Sequence, residues 1–357
     1  MKVSVLGAGA IGSMLGGLIQ HHAPSSDVAL IVRGEHGRAI CQRGSLVLEG
    51  PWGRRDVAIR ASTDIADLAG SDFVLVTVKS QDIEPALSAA APYLGGATVV
   101  SIQNGINDEV LGRFVEPPRL VMGMTAANMA ILEPGRVSLQ LDGVTVVGPS
   151  PDGANAVAAR AVADLLRISG LPVSEHSDVL GVRYNKLAIN ALGYASCISN
   201  SNFITDAICF RPWRAAVGRP IIQECTEVFR RAGIVPAKIP GRPDVSGLAR
   251  FLRLLDMPLV GSVVAAGAAR LYNKKPILFS LSQDLLRGKT TEVDYINGHI
   301  VQLAERHGAA APCNALVVQL VHELEQRRAP CFLERDEVIR RFQQRHAPAS
   351  RFCRAQQ

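Results

Sequence analysis

The first residue here whose surroundings suggest chemistry is a lysine in an oily helix. The stretch 179–198 is apolar nearly all round, yet it carries Lys186 and Asn190. Residues four apart share one helix face, and Gly193, Tyr194 and Cys197 continue that face. Lysine is seldom buried without a reason. Desolvation disfavours its charged form and makes it a proton donor near neutral pH. A solvated helix lysine is the plainer alternative. A second group lies downstream, in Ser280-Leu-Ser-Gln-Asp284 and in Thr290-Thr-Glu292-Val-Asp294-Tyr-Ile-Asn297-Gly298. Thr291 and Asp294 fit a helix start, so capping and surface charge compete with a reading that sets Ser280 and Glu292 beside Lys186.

A third candidate is the turn Gly7-Ala8-Gly9-Ala10-Ile11-Gly12. It follows the apolar run Val3–Leu6, opens a helix from Ile11 to His22, and leads to a second apolar run, Val28–Val32. This strand–turn–helix–strand unit is the context that dinucleotide binding requires. Gly7 permits the tight turn, Gly9 lets a pyrophosphate approach the backbone, and Gly12 lets helix and strand pack closely. The helix start then offers free N–H groups to the phosphates, with Ala8, Ala10 and Ile11 counted beside the glycines as cofactor-binding. Arg33 ends the second strand, where an acid would hold the ribose 2′-hydroxyl of NAD. A guanidinium fork suits a 2′-phosphate, so the expected cofactor is NADPH, although Glu35 argues for NAD. Lys79 and Asn104 follow two further strands, Phe73–Val78 and Thr98–Ile102. Ligands of open α/β sheets gather at such carboxyl ends, although a loop lysine and a turn-forming Asn-Gly are the bland alternatives.

The elements that must position these groups alternate in type up to about residue 178. Strand runs at 3–6, 28–32, 73–78, 98–102 and 120–124 enclose helical patterns at 10–22, 64–69 and 82–91, which predicts a mostly parallel sheet with helices on its faces. Shorter runs near 128–131, 137–140 and 144–147 predict a mixed or antiparallel extension, followed by a helix over 153–169 and a last strand at 172–174. Beyond 179 the strand runs vanish and helical patterns take over, at 179–198, 215–232, 247–271, 277–287 and 291–307. The expected fold is an α/β Rossmann-type domain over 1–178, an all-α domain over 179–330, and a basic tail over 331–357.

Composition narrows the function classes. The net charge of +6 comes largely from Arg340, Arg341, Arg345, Arg351 and Arg354. That end reads as solvated and frayed, and aromatics are only 5%, so no nucleic-acid partner is expected. The seven cysteines form no CxxC pair, which predicts reduced thiols, a cytoplasmic location and no metal site. No stretch reaches the roughly 18 uninterrupted apolar residues of a membrane span, and glycines interrupt the N-terminal apolar run as no signal peptide would.

Taken together, GAGAIG at 7–12, Arg33, VTVKS at 76–80, QNG at 103–105, NKLAIN at 185–190 and SxxQD…TEVDYING from 280 to 298 resemble the ketopantoate reductase, or 2-dehydropantoate 2-reductase, family. The resemblance runs from residue 1 to about 325. It implies a Rossmann domain and a helical domain with the active site between them, and NADPH-dependent reduction of a 2-oxo acid at C2, most simply of 2-dehydropantoate on the route to pantothenate. Carried over by position, Lys186 is the general acid and Glu292 holds the substrate's 2-oxygen, the lysine or the cofactor. Ser280 binds the substrate carboxylate, while Asn104 and Asn190 orient substrate and nicotinamide. Gly7, Gly9, Gly12, Arg33 and Lys79 bind NADPH. One position departs: where the family often has a second substrate-binding asparagine, this chain has Tyr194, which implies a narrower pocket or another 2-oxo acid. A monomer or homodimer is expected. A β-hydroxyacid dehydrogenase, a non-catalytic NADP(H) sensor and a flavoenzyme are the alternative readings.

Overall fold

A computed structural model describes residues 1–151, 153–241, 244–257, 259–272, 279–327 and 332–346. Packing divides the chain into two units, Met1–Lys186 with Ala237–Arg242, and Leu187–Pro236 with Pro243–Gln357. The division falls inside the helix Val179–Cys197, eight residues beyond the 178 boundary that the change of sequence texture marks. The texture follows secondary structure, whereas packing keeps the first two turns of this helix with the sheet.

Among the described residues the first unit holds twelve strands: β1 (Lys2–Leu6), β2 (Asp27–Ile31), β3 (Ser45–Gly50), β4 (Gly53–Ala58), β5 (Arg60–Ser62), β6 (Phe73–Val76), β7 (Thr98–Ser101), β8 (Leu120–Thr125), β9 (Asn128–Glu133), β10 (Arg136–Leu141), β11 (Thr145–Gly148) and β12 (Val173–Glu175). Eight form one sheet in the order β12-β11-β8-β7-β6-β1-β2-β5. All its pairings are parallel except β8 with β11. The central strands are mostly apolar and almost wholly buried because both faces are covered. The helices Ala10–His22 and Ala156–Arg167 bury Leu15, Leu18, Val162 and Leu166 on one face. On the other, Ile83 and Leu87 of the helix Ile83–Ala90 pack with Val74, Val76 and Val99.

The expected mixed extension is β11 and β12. The runs near 128–131 and 137–140 take a different course: β9 and β10 join β3 and β4 in a separate sheet, ordered β4-β3-β10-β9. Leu46 and Leu48 of β3 and Val137 and Leu139 of β10 pack into the same apolar cluster as the helix Ala10–His22. The sequence gives little sign of β4, which has one buried residue among six. The helix Gly34–Arg43 is equally hard to read, since it buries only Gly37 and Ile40.

The second unit is helical. Its core gathers Trp213, Phe229, Ile221, Ile222, Ile300, Val317, Leu320 and Val321, all nearly inaccessible. A buried polar line crosses it: Glu224 accepts from Cys313 N at 2.7 Å and from Asn314 N and Nδ2, and Asn297 Nδ2 donates to Asn314 Oδ1 and to Ala191 O. The helical pattern over 247–271 is two helices, Val245–Leu254 and Val260–Tyr272. The expectation of a solvated, frayed end among the arginines from 340 on is corrected up to His346, since Arg335–His346 forms a helix burying Val338, Ile339 and Phe342. Arg340 and Arg345 are exposed while Val338, Ile339 and Phe342 line one face, so the charge masks an amphipathic helix. Arg341 pairs with Glu323 at 2.7 Å. Arg351 and Arg354 lie outside the described residues. No described helix is long and apolar enough to cross a membrane.

Candidate active site

The glycine turn stands between β1 and the helix Ala10–His22 and is shaped by close approach. Gly7 has φ +89°, and a Cβ there would lie 2.3–2.8 Å from Val78. At Gly12 a Cβ would meet Thr77 Oγ1 at 2.3 Å. Both positions therefore exclude every other residue. At Gly9 the nearest neighbour of such an atom is 3.9 Å away, so that side of the turn is open. Ala8 N donates to Ile31 O, Gly9 N to Gly7 O, and Thr77 Oγ1 to Gly7 O at 2.8 Å. The helix start has no side-chain cap and no acid in its first turn. Uncapped N–H groups beside an open glycine are the donor set that a pyrophosphate needs, so the residues fit a dinucleotide.

Strand order sets the other candidates along one edge. In the sequence β8-β7-β6-β1-β2, the carboxyl ends carry Thr125, Asn104, Lys79, the glycine turn and Arg33. Arg33 leads into the helix Gly34–Arg43 with its side chain 77% exposed and pairs with Asp82. Glu35 sits in the first turn of that helix. Lys79 leads into the short turn Ser80–Asp82.

Lys186 joins this edge. Its Nζ donates to Asn104 Oδ1 at 2.7 Å and to Thr125 O at 2.8 Å, and the side chain is half-buried. The Asn104 carbonyl accepts from Ser80 Oγ at 3.2 Å and from Asn107 Nδ2 at 2.9 Å, which fixes the residue that orients the amine. One turn before Lys186, Arg183 is buried, donates to both Asp108 oxygens at 2.7 and 2.8 Å, and reaches Gly105 O. This clamp ties the lysine's helix to the loop that carries Asn104. Sequence reading missed Arg183, Asp108, Asn107 and Thr125; the only sign was a second cation, Arg183, on the same oily helix.

In the helical unit, Tyr194 and Ser280 come together, with Oη and Oγ 3.1 Å apart. Tyr194 is only 1% exposed. Burial, then the negative charge of Glu292, push its phenol well above the ordinary tyrosine range, so it is a neutral hydroxyl. Ser280 begins the helix Ser280–Leu286, and the Phe279 ring before it packs so tightly on Gly193 that a Cβ there would lie 2.2 Å from it. Glu292 is buried at the start of the helix Val293–Arg306. The capping role expected nearby is real for Thr291, whose Oγ1 accepts from Val293 N at 3.3 Å. Asp294 instead meets His322 at 3.0 Å. Asn190 is half-buried, one turn beyond Lys186. Burial lifts the Cys197 thiol to about 11, which leaves it inert. No group of histidines, cysteines and acids among the described residues is arranged to hold a metal ion.

Known proteins match this arrangement over most of the chain. Residues 3–152 match the family ketopantoate reductase PanE/ApbA, and residues 178–325 match its C-terminal part. A 2-dehydropantoate 2-reductase of Pyrococcus horikoshii is 30% identical over 330 residues, covering 91% of this chain and 98% of the relative. One of Vibrio cholerae is 29% identical over 332 residues, covering 91% and 98%. The crystal structure of a ketopantoate reductase from Ralstonia eutropha JMP134 superposes with a TM-score of 0.74 at 29% identity, covering 91% of this chain and 98% of that one. A D-mandelate dehydrogenase solved with NADH shares the fold, at a TM-score of 0.76, 23% identity and the same coverage. With both parts of the family matched and relatives aligned almost end to end, the chain belongs to the ketopantoate reductase family.

Proposed function

We propose that this protein is a cytoplasmic NADPH-dependent reductase of 2-oxo acids, acting at C2, with 2-dehydropantoate as the first substrate to test. The observation that carries the reading is the row along the sheet edge: Lys186 bonded to Asn104 and Thr125, then Lys79, the open glycine turn, and Arg33. In a bound dinucleotide the turn would hold the pyrophosphate, Arg33 the 2′-phosphate, and the lysine end would receive the nicotinamide.

When bound, NADPH supplies a hydride to the C2 carbonyl carbon. The carbonyl π electrons then move to oxygen, and Lys186 gives that oxygen a proton. Donation by a positioned acid is worth about 10²–10⁴ in rate. Asn104, held by Ser80 and Asn107, keeps the amine in place. By the family resemblance, Ser280 would hydrogen-bond the substrate carboxylate, Glu292 and Asn190 would orient the substrate and the reacting end of the cofactor, and Tyr194, bonded to Ser280, would limit which acid is accepted. Arg33 would exchange Asp82 for the 2′-phosphate.

NADPH oxidation measured across branched, linear and aromatic 2-oxo acids, with 3-oxo acids beside them, tests this reading. Turnover of 2-oxo acids with NADPH favoured over NADH is the expected result. Turnover of 3-oxo acids alone, or cofactor binding with no turnover, overturns it.

A further inference from the structure

We infer that His36 is a positioning residue for the cofactor turn and acts through Ser13. The inference rests on the reading of the glycine turn as a dinucleotide site. Gly135 N, in the turn between β9 and β10, donates to His36 Nδ1 at 3.1 Å. A backbone N–H can only donate, so Nδ1 carries the lone pair. A neutral ring then has its proton on Nε2. That nitrogen lies 3.0 Å from Ser13 Oγ, and Ser13 Oγ donates to Ala8 O at 3.0 Å. Hydrogen bonds therefore run one way, from the Gly135 backbone through the imidazole and a fully buried serine to the middle of the glycine turn.

The placement gives the relay its purpose. Ser13 N makes the first bond of the helix, to Gly9 O at 2.9 Å, so the same residue fixes the turn from both its backbone and its side chain. His36 is the third residue of the helix Gly34–Arg43, which Arg33 leads into. The Gly135 carbonyl accepts from Val47 N at 3.0 Å, which anchors the far end of the relay in the second sheet. One imidazole thus braces the turn against the smaller sheet, and the N–H groups at the helix start keep the spacing that a pyrophosphate needs. A turn free to relax would spend binding energy on ordering itself.

Titration of NADPH and of NADH, followed by nicotinamide fluorescence, tests this. For His36→Ala the dissociation constants of both nucleotides rise by about fivefold, the loss of one hydrogen bond's worth of ordering. The equal effect distinguishes the turn from the Arg33 side, where only NADPH would suffer. His36→Gln offers one acceptor and one donor and restores most of the binding. Ser13→Ala matches His36→Ala, and the double variant is no worse than either alone, because the two residues act in series. Thermal unfolding of each variant confirms that it is folded, and Ser13→Ala decides the matter should His36→Ala not fold. Unchanged constants, a weakening of NADPH alone, additive losses, or a glutamine variant as weak as the alanine one would overturn the relay. A wild-type protein that binds neither nucleotide would strike instead at the dinucleotide reading itself.

Discussion

Lys186 and Tyr194 lie eight residues apart on one helix, yet their surroundings hold them by different physics. The lysine is half-buried, and its amine is fixed by the amide oxygen of Asn104, in a loop, and the backbone carbonyl of Thr125, at the end of β8. The tyrosine is buried, has Ser280 as its hydroxyl partner, and is kept neutral by burial and by the charge of Glu292. A proton donor that must discharge in each cycle needs dipoles that tolerate both of its states. A hydroxyl that only shapes its surroundings can be sealed in apolar packing, where its ionisation is suppressed. The polar half of this helix is thus served by a sheet edge, and the packed half by another helix.

Removing the amine tests the polar half most severely. In Lys186→Ala, kcat should fall by about 10²–10⁴, with the NADPH dissociation constant little changed. Near-normal turnover in steady-state assays would end the assignment. Breaking the clamp behind the lysine comes next. Arg183→Ala leaves the Asp108 carboxylate and the Gly105 carbonyl without this donor, and should cost about 2–3 kcal/mol of stability, read from denaturant unfolding. A variant as stable as the wild type would show that the clamp is ornamental. Arg33→Ala should weaken NADPH by about 1.5–3 kcal/mol while leaving NADH alone. Equal losses for both nucleotides would move the 2′-phosphate elsewhere.

The packed half should give the smallest effects. Tyr194→Phe keeps the ring and deletes the Ser280 contact, so KM for the 2-oxo acid should rise a few-fold, about 1 kcal/mol, with kcat nearly constant. A collapse of kcat would make the hydroxyl catalytic. The same variant has a pH signature. The folded phenol is raised above its unfolded value, so the stability it contributes is complete below an ordinary tyrosine pKa of about 10 and is lost as pH rises beyond that. Alkaline unfolding of Tyr194→Phe should therefore begin at higher pH than that of the wild type, and coincident curves would contradict the burial of Tyr194.

Much of this was legible from the residues. The glycine turn, Arg33, Lys79 and Asn104 were readable because each follows an apolar strand, and local sequence dictates both the strand and what comes after it. Lys186 stood out as a cation on an oily helix. The smaller sheet was not readable, since it forms only when β3 pairs with β10, about ninety residues further along, and buries one face against the helix Ala10–His22. The C-terminal helix was hidden for another reason: its arginines dominate the composition, while three buried residues do the packing.

By itself the sequence determined what is local: where strands stop, where a helix opens on glycines, and which side chains stand at those ends, because backbone sterics and hydrophobic period act over a few residues. Only the tertiary structure decided which ends are neighbours. The order of the parallel strands set Asn104 and Thr125 around the Lys186 amine, and the packing of the smaller sheet brought Gly135 to His36. Such contacts depend on which faces bury each other across the whole chain, and no short stretch of residues carries that information.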